Sequence, residues 1–358
     1  MDPELLTNEA SALPLIAADH VGLVNSVPTT FGQVNADGLF PAAGLSTPYV
    51  RVDIIDGLIT ALPVTPGGRP STIASHKPGS GVIFEIPNIS HEDSVLANDL
   101  REWLAYAART NTPEEAIVSR VETRHRRNRF KFDLTTEVMK LSALKGQIVD
   151  GAGTLLYDLF DTFKVDQRIV YFDFADDEAD IPAAIEAVIG GTEDELVNDV
   201  MQGVEARVSP EFYNRLIRHP SITKYFEGTP LMQQLLNQQR QTVAGGYRRT
   251  IEIAGMVFKE YRAKVVLWGA EAPSRLIGAD EGYANPTGTL DAHQTYVAPP
   301  LDVRELDGSA AGIDDLIHFS EEVMKHGAGL EWKYQANPLP LWKKPRLLTK
   351  LVAGADPG

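Results

Sequence analysis

Cysteine is missing from this 358-residue chain, and so are several other features that would point to a common class of protein. Without cysteine, disulfides, thiolate-bound metals and cysteine nucleophiles are excluded. No apolar run reaches the roughly 18 residues that a membrane span needs. The opening residues carry acids and lack the basic stretch of a signal peptide. The sequence therefore predicts a soluble protein that is made in a cytoplasm and does not enter a membrane.

Positive charge is scarce as well. Lysine and arginine total 33 against 49 aspartates and glutamates, which gives a net charge of −16 at pH 7. A surface of this sign opposes broad binding of nucleic acid, although a single basic patch could still act locally. Hydrophobic residues make up 43% of the chain, and its length predicts about two domains, each with its own core.

Signatures of catalysis and cofactor binding are also absent from the sequence. The histidines are scattered without an HExxH motif, and we find no GxGxxG motif, phosphate-binding loop or GxSxG elbow. The acidic run FADDEAD at 174–180 could offer carboxylates to Mg²⁺ or Ca²⁺, but it lacks EF-hand spacing and the EF-hand glycine. We therefore predict no catalytic residue, no cofactor and no metal site. A metal-dependent hydrolase that uses the 173–180 carboxylates is the least favoured alternative.

The N-terminal part of the chain has the composition of extended structure. Residues 1–48 are low in charge and rich in Pro, Gly, Ala and Thr, which favours an extended arm, with disorder as the alternative. Two strand-like runs, YVRVDIIDGLITAL and VIFEIP, follow within residues 49–87. The connection between them is long and rich in Gly and Pro, which predicts an extended β-loop that projects from the body.

Two helices are predicted after this loop. Ser90 and Asp93 match a capping box before an amphipathic segment. A second helix is predicted from Pro113 to Lys145, where Gly146 ends it. A helix of this length, about 33 residues, would span about 50 Å, which is long for a globular domain.

The long helix contains the most basic stretch of the chain, RVETRHRRNRFKFD at 120–133. Like charges at helical spacings repel by a few tenths of a kcal/mol per pair, so they need an anionic neighbour. Leu134, Val138 and Leu141 continue the same side of the helix, which therefore changes from cationic to apolar. Four cations form the basic stripe, at successive spacings of 4, 3 and 4 residues: Arg120, Arg124, Arg127 and Lys131.

Three interpretations of the basic stripe stay open: a solvated helix face, a nucleic-acid contact and a subunit interface. The net charge and the scarcity of interleaved aromatic residues weigh against nucleic acid. The segment 169–206 holds eleven acids and no Lys or Arg, so a second copy of the chain offers a complementary surface. We favour the subunit interface, with Asp176, Asp177 and Glu178 as candidate residues on its acidic side.

Local patterns predict further elements in the rest of the chain. Asp150-Gly151 has the residues of a tight hairpin turn. Thr192 with Glu195 matches another capping box, and Ser209-Pro210 matches a helix start. The longer patterns indicate strands at 247–268, a loop-rich stretch at 269–312, a helix around Asp314–Lys325 and strands within 329–352.

Three segments together resemble the major capsid protein E family of tailed phages, the lambda-type major head protein with the Hong Kong 97 capsid fold. They are LSALKGQIVDGAGTLLYDLFDTF at 141–163, the passage AKVVLWG…LIGADEGYANPTGT at 263–289, and EWKYQANPLPLWKKPRLLTKL at 331–351. The order of arm, β-loop, long helix, hairpin, acidic middle and C-terminal return is also similar. The resemblance is clearest at 120–160 and 260–351, whereas 165–250 is similar mainly in composition.

The resemblance implies an α+β fold of the Hong Kong 97 type and a function in tiling an icosahedral shell of pentamers and hexamers around packaged double-stranded DNA. A shell protein of the same fold that encloses an enzyme cargo in a cellular nanocompartment is the alternative. The implied parts are an N-terminal arm (1–48), an extended β-loop (49–90), a peripheral domain (91–180 and 311–358) with a spine helix at about 113–145, and an axial domain (181–310).

The resemblance also implies partners. The chief partner is the chain itself, in pentamers and hexamers, and a portal and a decoration protein are further candidates. Only some 48 residues precede the first predicted strand, which is short for an N-terminal scaffolding domain, so we expect a separate scaffolding protein. DNA would be enclosed without sequence-specific binding, and no membrane is involved. The expected location is the virion, after assembly in the bacterial cytoplasm.

Overall fold

The computed structural model describes seven stretches of the chain. These stretches contain both helices and strands, and the sheets pair strands that are distant in sequence. No helix within these stretches is both long and apolar enough to cross a membrane. The described residues are 31–53, 81–107, 113–196, 199–226, 241–243, 246–302 and 317–357.

Helices and strands alternate irregularly along these stretches. The helices are α1 (Gln33–Asp37), α2 (Ala97–Ala107), α3 (Pro113–Leu144), α4 (Leu159–Phe163), α5 (Ile181–Glu195), α6 (Pro210–Arg218) and α7 (Pro220–Phe226). The first strands are β1 (Ala42–Gly44), β2 (Tyr49–Asp53), β3 (Gly81–Glu85), β4 (Ile89–Leu96), β5 (Gln147–Val149), β6 (Leu155–Asp158), β7 (Arg168–Phe172), β8 (Gly203–Val208), β9 (Gln241–Val243) and β10 (Gly246–Arg248). The later strands are β11 (Thr250–Ile253), β12 (Met256–Glu260), β13 (Lys264–Val265), β14 (Ser274–Arg275), β15 (Glu281–Thr287), β16 (His293–Val297), β17 (His318–Val323), β18 (Gly329–Ala336), β19 (Pro338–Trp342) and β20 (Thr349–Ala353).

The first half of the long helix α3 packs on an antiparallel sheet of order β17-β18-β4. Alternation along β18 buries Trp332 and Tyr334 against the helix and leaves Glu331 exposed on the other face. His125 of α3 is fully buried in this layer, where its Nδ1 lies 2.5 Å from the hydroxyl of Tyr334. The sheet therefore has an apolar face under the helix and a charged face on the opposite side.

A second layer is a mixed six-stranded sheet of order β11-β12-β8-β15-β20-β7. The pairs β12–β8 and β20–β7 are parallel, and the other pairs are antiparallel. Helices α5 and α6 pack on it through apolar side chains such as Ile185 and Phe212, both fully buried. This sheet has its own hydrophobic core.

A third core lies where the second half of α3 meets the sheet β1-β16-β19. Met139 and Leu144 of the helix pack here with Leu341 and Trp342 of β19. Phe40, which precedes β1, lies against the Trp342 ring, with the ring centroids 6.0 Å apart. The long helix thus contributes to two cores, one at each half of its length.

Several predicted elements are confirmed. The long helix runs over Pro113–Leu144, one residue short of its predicted end. Gly146 follows it with φ of 82°, and a side chain there would collide with the ring of Phe160. β5 and β6 form the predicted hairpin, although its connection covers residues 150–154, with Gly153 at φ of 84°, and is longer than the tight turn predicted at Asp150-Gly151. The Ser209 side chain caps α6. Strands also occur where they were predicted within 247–268 and 329–352.

Two predicted helix starts are wrong. Ser90 and Asp93 lie inside β4, where every residue is paired with β18, so long-range pairing overrides the local capping pattern. Thr192 and Glu195 lie at the C-terminal end of α5. The N-cap of that helix is Asp180, whose carboxylate accepts the backbone N–H of Ala183 at 3.0 Å.

Two predictions for the C-terminal third also need correction. Residues 318–323 of the predicted helix form β17, the edge strand beside β18, while 303–316 lie outside the described residues. The stretch predicted to be loop-rich contains β15 and β16. Glycine, asparagine and proline in EGYANPT disfavour a strand locally, but β8 and β20 pair with β15 from both sides.

The N-terminal segment and the β-loop are described only in part. Residues 1–30 and 54–80 lie outside the described residues. Residues 31–48 pack on the body of the same chain: Val34 is fully buried, and β1 pairs in parallel with β16. β2 and β3 form an antiparallel pair at the base of the predicted loop. The domain boundaries stay a prediction, and the six-stranded sheet includes strands from 168–172 and 349–353.

Candidate subunit-contact surfaces

The basic stripe lies on α3, and part of it is already engaged within the chain. The Nε of Arg124 lies 3.0 Å from the Asp93 carboxylate of β4, and Lys131 Nζ lies 2.8 Å from His91 Nε2. The guanidinium of Arg120 lies 5.6 Å from the ring centroid of Trp103, a cation–π contact. β4, which runs beside the helix, is thus the main neighbour of the stripe.

Arg124 and Asp93 form a local anchor between helix and sheet. Asn128 donates to the same carboxylate at 2.8 Å. Burial raises the pKa of Asp93, but the Asn128 hydrogen bond and the Arg124 charge together hold it below its usual value. This aspartate is therefore ionised at neutral pH and stabilises the position of α3 on the sheet.

Arg127 is the member of the stripe that remains available. Its side chain is exposed, and among the described residues it has no ion-pair partner. The neighbouring Arg126 is also exposed and only loosely paired, 3.8 Å from Glu122. Phe130 is 41% exposed on the same helix. The free part of the stripe is therefore smaller than the sequence suggested, and it centres on Arg127.

The acidic candidates lie in a loop held on the six-stranded layer. His219 Nε2 lies 2.9 Å from the backbone oxygen of Asp176, and the Asp176 side chain accepts the N–H of Glu178 at 2.9 Å. Asp176, Asp177 and Glu178 are all exposed, and within the described part of the chain they form no ion pair. The structure places the two halves of the predicted interface on separate layers, where both are accessible. No group of three or more metal-ligating side chains occurs in the described residues.

Sequence reasoning missed a buried charge cluster between α1 and the six-stranded sheet. Asp37 is held by Arg207 Nη2 at 2.8 Å, Arg248 Nη1 at 2.6 Å and Lys259 Nζ at 3.2 Å. The Arg207 side chain is only 1% exposed, and Lys259 also contacts Glu205 at 2.6 Å. Burial raises the pKa of Asp37, but the three cations hold it below its usual value.

A second missed contact joins the same segment to α3. Fully buried Glu137 accepts the backbone N–H groups of Val34 at 3.0 Å and Asn35 at 2.8 Å, and the Tyr261 hydroxyl lies 3.1 Å away. Burial raises the pKa of Glu137 more than these hydrogen bonds lower it. Through Glu137, residues 33–37 are attached to α3, and through Asp37 they are attached to the six-stranded sheet. No local sequence signal marks this pair, because their partners lie about a hundred or more residues away.

The outer face of the β17-β18-β4 sheet is a further charged surface. Glu331 is directly opposite Glu322 in the antiparallel register, and Lys333 is opposite Glu92. Like charges in directly opposed positions are unfavourable in a sheet. This face borders a groove of about 370 Å³ that also includes Asp302, and it makes a second acidic region besides the 176–178 loop.

Comparison with known proteins identifies relatives across the whole chain. A family model described as phage major capsid protein E matches residues 21–353. The chain is 25% identical to the major capsid protein of Salmonella phage Felix O1, over 99% of this chain and 100% of that protein. It is 24% identical to the major capsid protein of Pseudomonas phage KPP10, over 60% of this chain and 63% of that protein.

A solved structure shows the same fold. The crystal structure of a protein assigned as the capsid protein of an Escherichia coli CFT073 prophage superposes with a TM-score of 0.58 at 11% identity. The superposition covers 93% of this chain and 97% of that chain. At this identity the similarity concerns the fold alone.

Proposed function

Because the chain belongs to the phage major capsid protein E family, we propose that its copies assemble as pentamers and hexamers into an icosahedral shell around double-stranded DNA. It is the major capsid protein of a tailed phage, with an α+β fold of the Hong Kong 97 type. The match of the family model over residues 21–353 is the observation that carries the proposal.

The basic stripe and the acidic loop are proposed to meet between copies. Arg127 is exposed without an ion-pair partner among the described residues, and the same holds for Asp176, Asp177 and Glu178. Opposite charges on one chain make a self-complementary surface that steers and orients association. Arg120, Arg124 and Lys131 support this surface from within the subunit, where they contact Trp103, Asp93 and His91.

The protein is proposed to act as a structural component without catalytic turnover. Its net charge of −16 would give a shell wall that repels DNA phosphates, so that packaged DNA does not adhere to it. We further propose that the shell assembles in the host cytoplasm, together with a separate scaffolding protein, a portal and a decoration protein. The virion would be the final location.

Sedimentation of the purified full-length chain tests this function. We expect species at the mass of pentamers, hexamers or closed shells, in place of a monomer that persists at all concentrations. Shells assembled in cells that replicate phage DNA should contain that DNA. A strictly monomeric protein, both alone and with the products of the neighbouring phage genes, would overturn the proposal.

A further inference from the structure

An exposed tryptophan marks a surface that the fold itself leaves uncovered. Trp268 lies at the tip of the hairpin formed by β13 and β14, and its side chain is 87% exposed. Val266 on the same hairpin is 53% exposed, and Leu155 at the start of β6 is 51% exposed. Large aromatic side chains of this kind are typical anchors of protein interfaces, where they bury roughly 150–250 Å².

The hairpin is held in place, so the tryptophan is presented by a fixed support. The backbone N–H of Trp268 donates to the carbonyl of Gly151 at 2.9 Å, and the N–H of Ala270 donates to Leu267 at 3.0 Å. Leu267 packs over Gly153, and Arg275 at the hairpin base forms an ion pair with Glu211 of α6. Such support lowers the entropy cost of binding, because the anchor is already positioned.

The same chain carries a cavity of the kind that accepts such an anchor. It has a volume of about 490 Å³ and lies at the base of the β2–β3 pair. Its lining is mostly apolar, and its outer members are open to solvent: Tyr49 is 54% exposed and Leu301 is 64% exposed. The lining includes Pro48, Tyr49, Ile86, Pro87, Leu156 and Leu301.

The charges beside the two features are complementary. Glu85 lines the cavity, and its side chain is exposed without an ion-pair partner among the described residues. Lys264 lies at the base of the hairpin and is likewise exposed and unpaired within the described part of the chain. The hairpin also carries the exposed acid Glu271, so an orientation that brings Lys264 to Glu85 would be favoured over its reverse.

We propose that Trp268 of one copy inserts into the cavity at the base of the β2–β3 pair of a neighbouring copy, with Lys264 beside Glu85. Because the anchor and the cavity consist of different residues, the contact is head-to-tail, and repetition around an axis closes a ring. This inference rests on the proposed shell function and supplies one contact by which pentamers and hexamers would form.

The absence of cysteine from the chain allows a direct test by mixed cross-linking. One full-length variant carries Ala270→Cys, at an exposed position beside the anchor that leaves Trp268 in place, and a second carries Leu301→Cys. The two are co-assembled and then oxidised. We expect a covalent dimer that links position 270 of one variant to position 301 of the other, visible on a non-reducing gel and confirmed by mass spectrometry. The matched control replaces Ala270→Cys with Leu290→Cys, at a side chain that is 78% exposed elsewhere on the surface.

Particles that form normally but yield no more 270–301 cross-link than the control pair would overturn the inference and leave the shell function intact. A second measurement uses Trp268→Ala, for which we expect the critical concentration for assembly to rise at least about tenfold, as for an interface hot spot. Leu290→Ala should leave that concentration within about twofold. Equal behaviour of the two alanine variants would contradict the proposal. Unchanged circular dichroism shows that each variant is folded.

Discussion

At the residue scale, two carboxylates decide how the N-terminal segment is held. Asp37 lies among three cations, Arg207 and Lys259 on the six-stranded sheet and Arg248 on β10. Glu137 of α3 accepts the first N–H groups of α1. A carboxylate at a helix N-terminus is favourable, because it meets unpaired N–H groups. The pKa of Asp37 is lowered and the pKa of Glu137 is raised. The two contacts therefore respond differently to pH.

Replacement of Asp37 should destabilise the subunit strongly. In Asp37→Asn, the nearly buried Arg207 and Lys259 lose their shared anion, and removal of one partner from a buried ion cluster costs about 3–5 kcal/mol. We expect the free energy of unfolding, measured by urea titration, to fall by about 3 kcal/mol or more. Asp177→Asn, at an exposed unpaired carboxylate, is the control and should change it by less than about 0.5 kcal/mol. Equal effects would refute a structural role for the cluster.

Glu137 should make the subunit less stable as the pH rises, whereas an ion-paired carboxylate such as Asp37 makes it less stable as the pH falls. Burial raises the pKa of Glu137 above the ordinary value of 4.5, so at a pH between the unfolded and the folded pKa the folded state holds a proton that the unfolded state has released. The stability from this proton is complete below the unfolded pKa and is lost as pH rises through the folded pKa.

The pH effect can be isolated with Glu137→Gln, which keeps an oxygen acceptor for Val34 and Asn35. Between about pH 4 and pH 7, the unfolding free energy of the wild type should fall relative to that of the variant, by at most about 1.4 kcal/mol per pH unit. Urea titrations across this range give the difference. A difference that does not change with pH, or that grows in favour of the wild type, would contradict the assignment.

At the element scale, α3 combines two kinds of arginine on one stripe. Arg124 is bound to Asp93 within the chain, whereas Arg127 is exposed without an ion-pair partner among the described residues. The sequence does not distinguish these two arginines, because helical spacing places both of them on the stripe. The structure separates an arginine that holds the subunit together from one that is free to contact another copy.

Charge reversal at these two positions should therefore have different consequences. Arg127→Glu should leave the unfolding free energy within about 0.5 kcal/mol of the wild type and impair shell assembly, measured by light scattering. Arg124→Glu should lower the unfolding free energy by about 1 kcal/mol or more, because it places two carboxylates side by side. Normal assembly of Arg127→Glu, with particles stable at moderate salt, would contradict the proposed interface.

Local sequence patterns predicted the elements that depend on nearby residues. The end of α3 at Gly146, the hairpin at Asp150-Gly151 and the cap at Ser209 each need only a few adjacent residues. Predictions failed where distant strands decide the outcome, as at β4 and β15, which are fixed by pairing with β18 and with β8 and β20. The stripe on α3 was predictable from periodicity, whereas the Asp37 cluster was not, because its cations come from positions 170 to 222 residues away.

At the scale of the whole molecule, the subunit has the features of a part that is completed by its neighbours. The described chain leaves exposed an acidic loop, an arginine on α3 and a tryptophan at a hairpin tip. Helix α3 contributes to two of the three cores, and sheets that join distant segments contribute to all three, so folding of the subunit does not require these surfaces. They remain available for assembly, as the function of a major capsid protein requires.

Electron microscopy of the full-length protein, expressed alone and together with the proposed scaffolding protein, tests the central claim most directly. We expect closed shells of uniform diameter with fivefold and sixfold clusters of subunits on their surface. Dispersed monomers, or irregular aggregates under both conditions, would contradict the assignment of this chain as the building block of an icosahedral phage head.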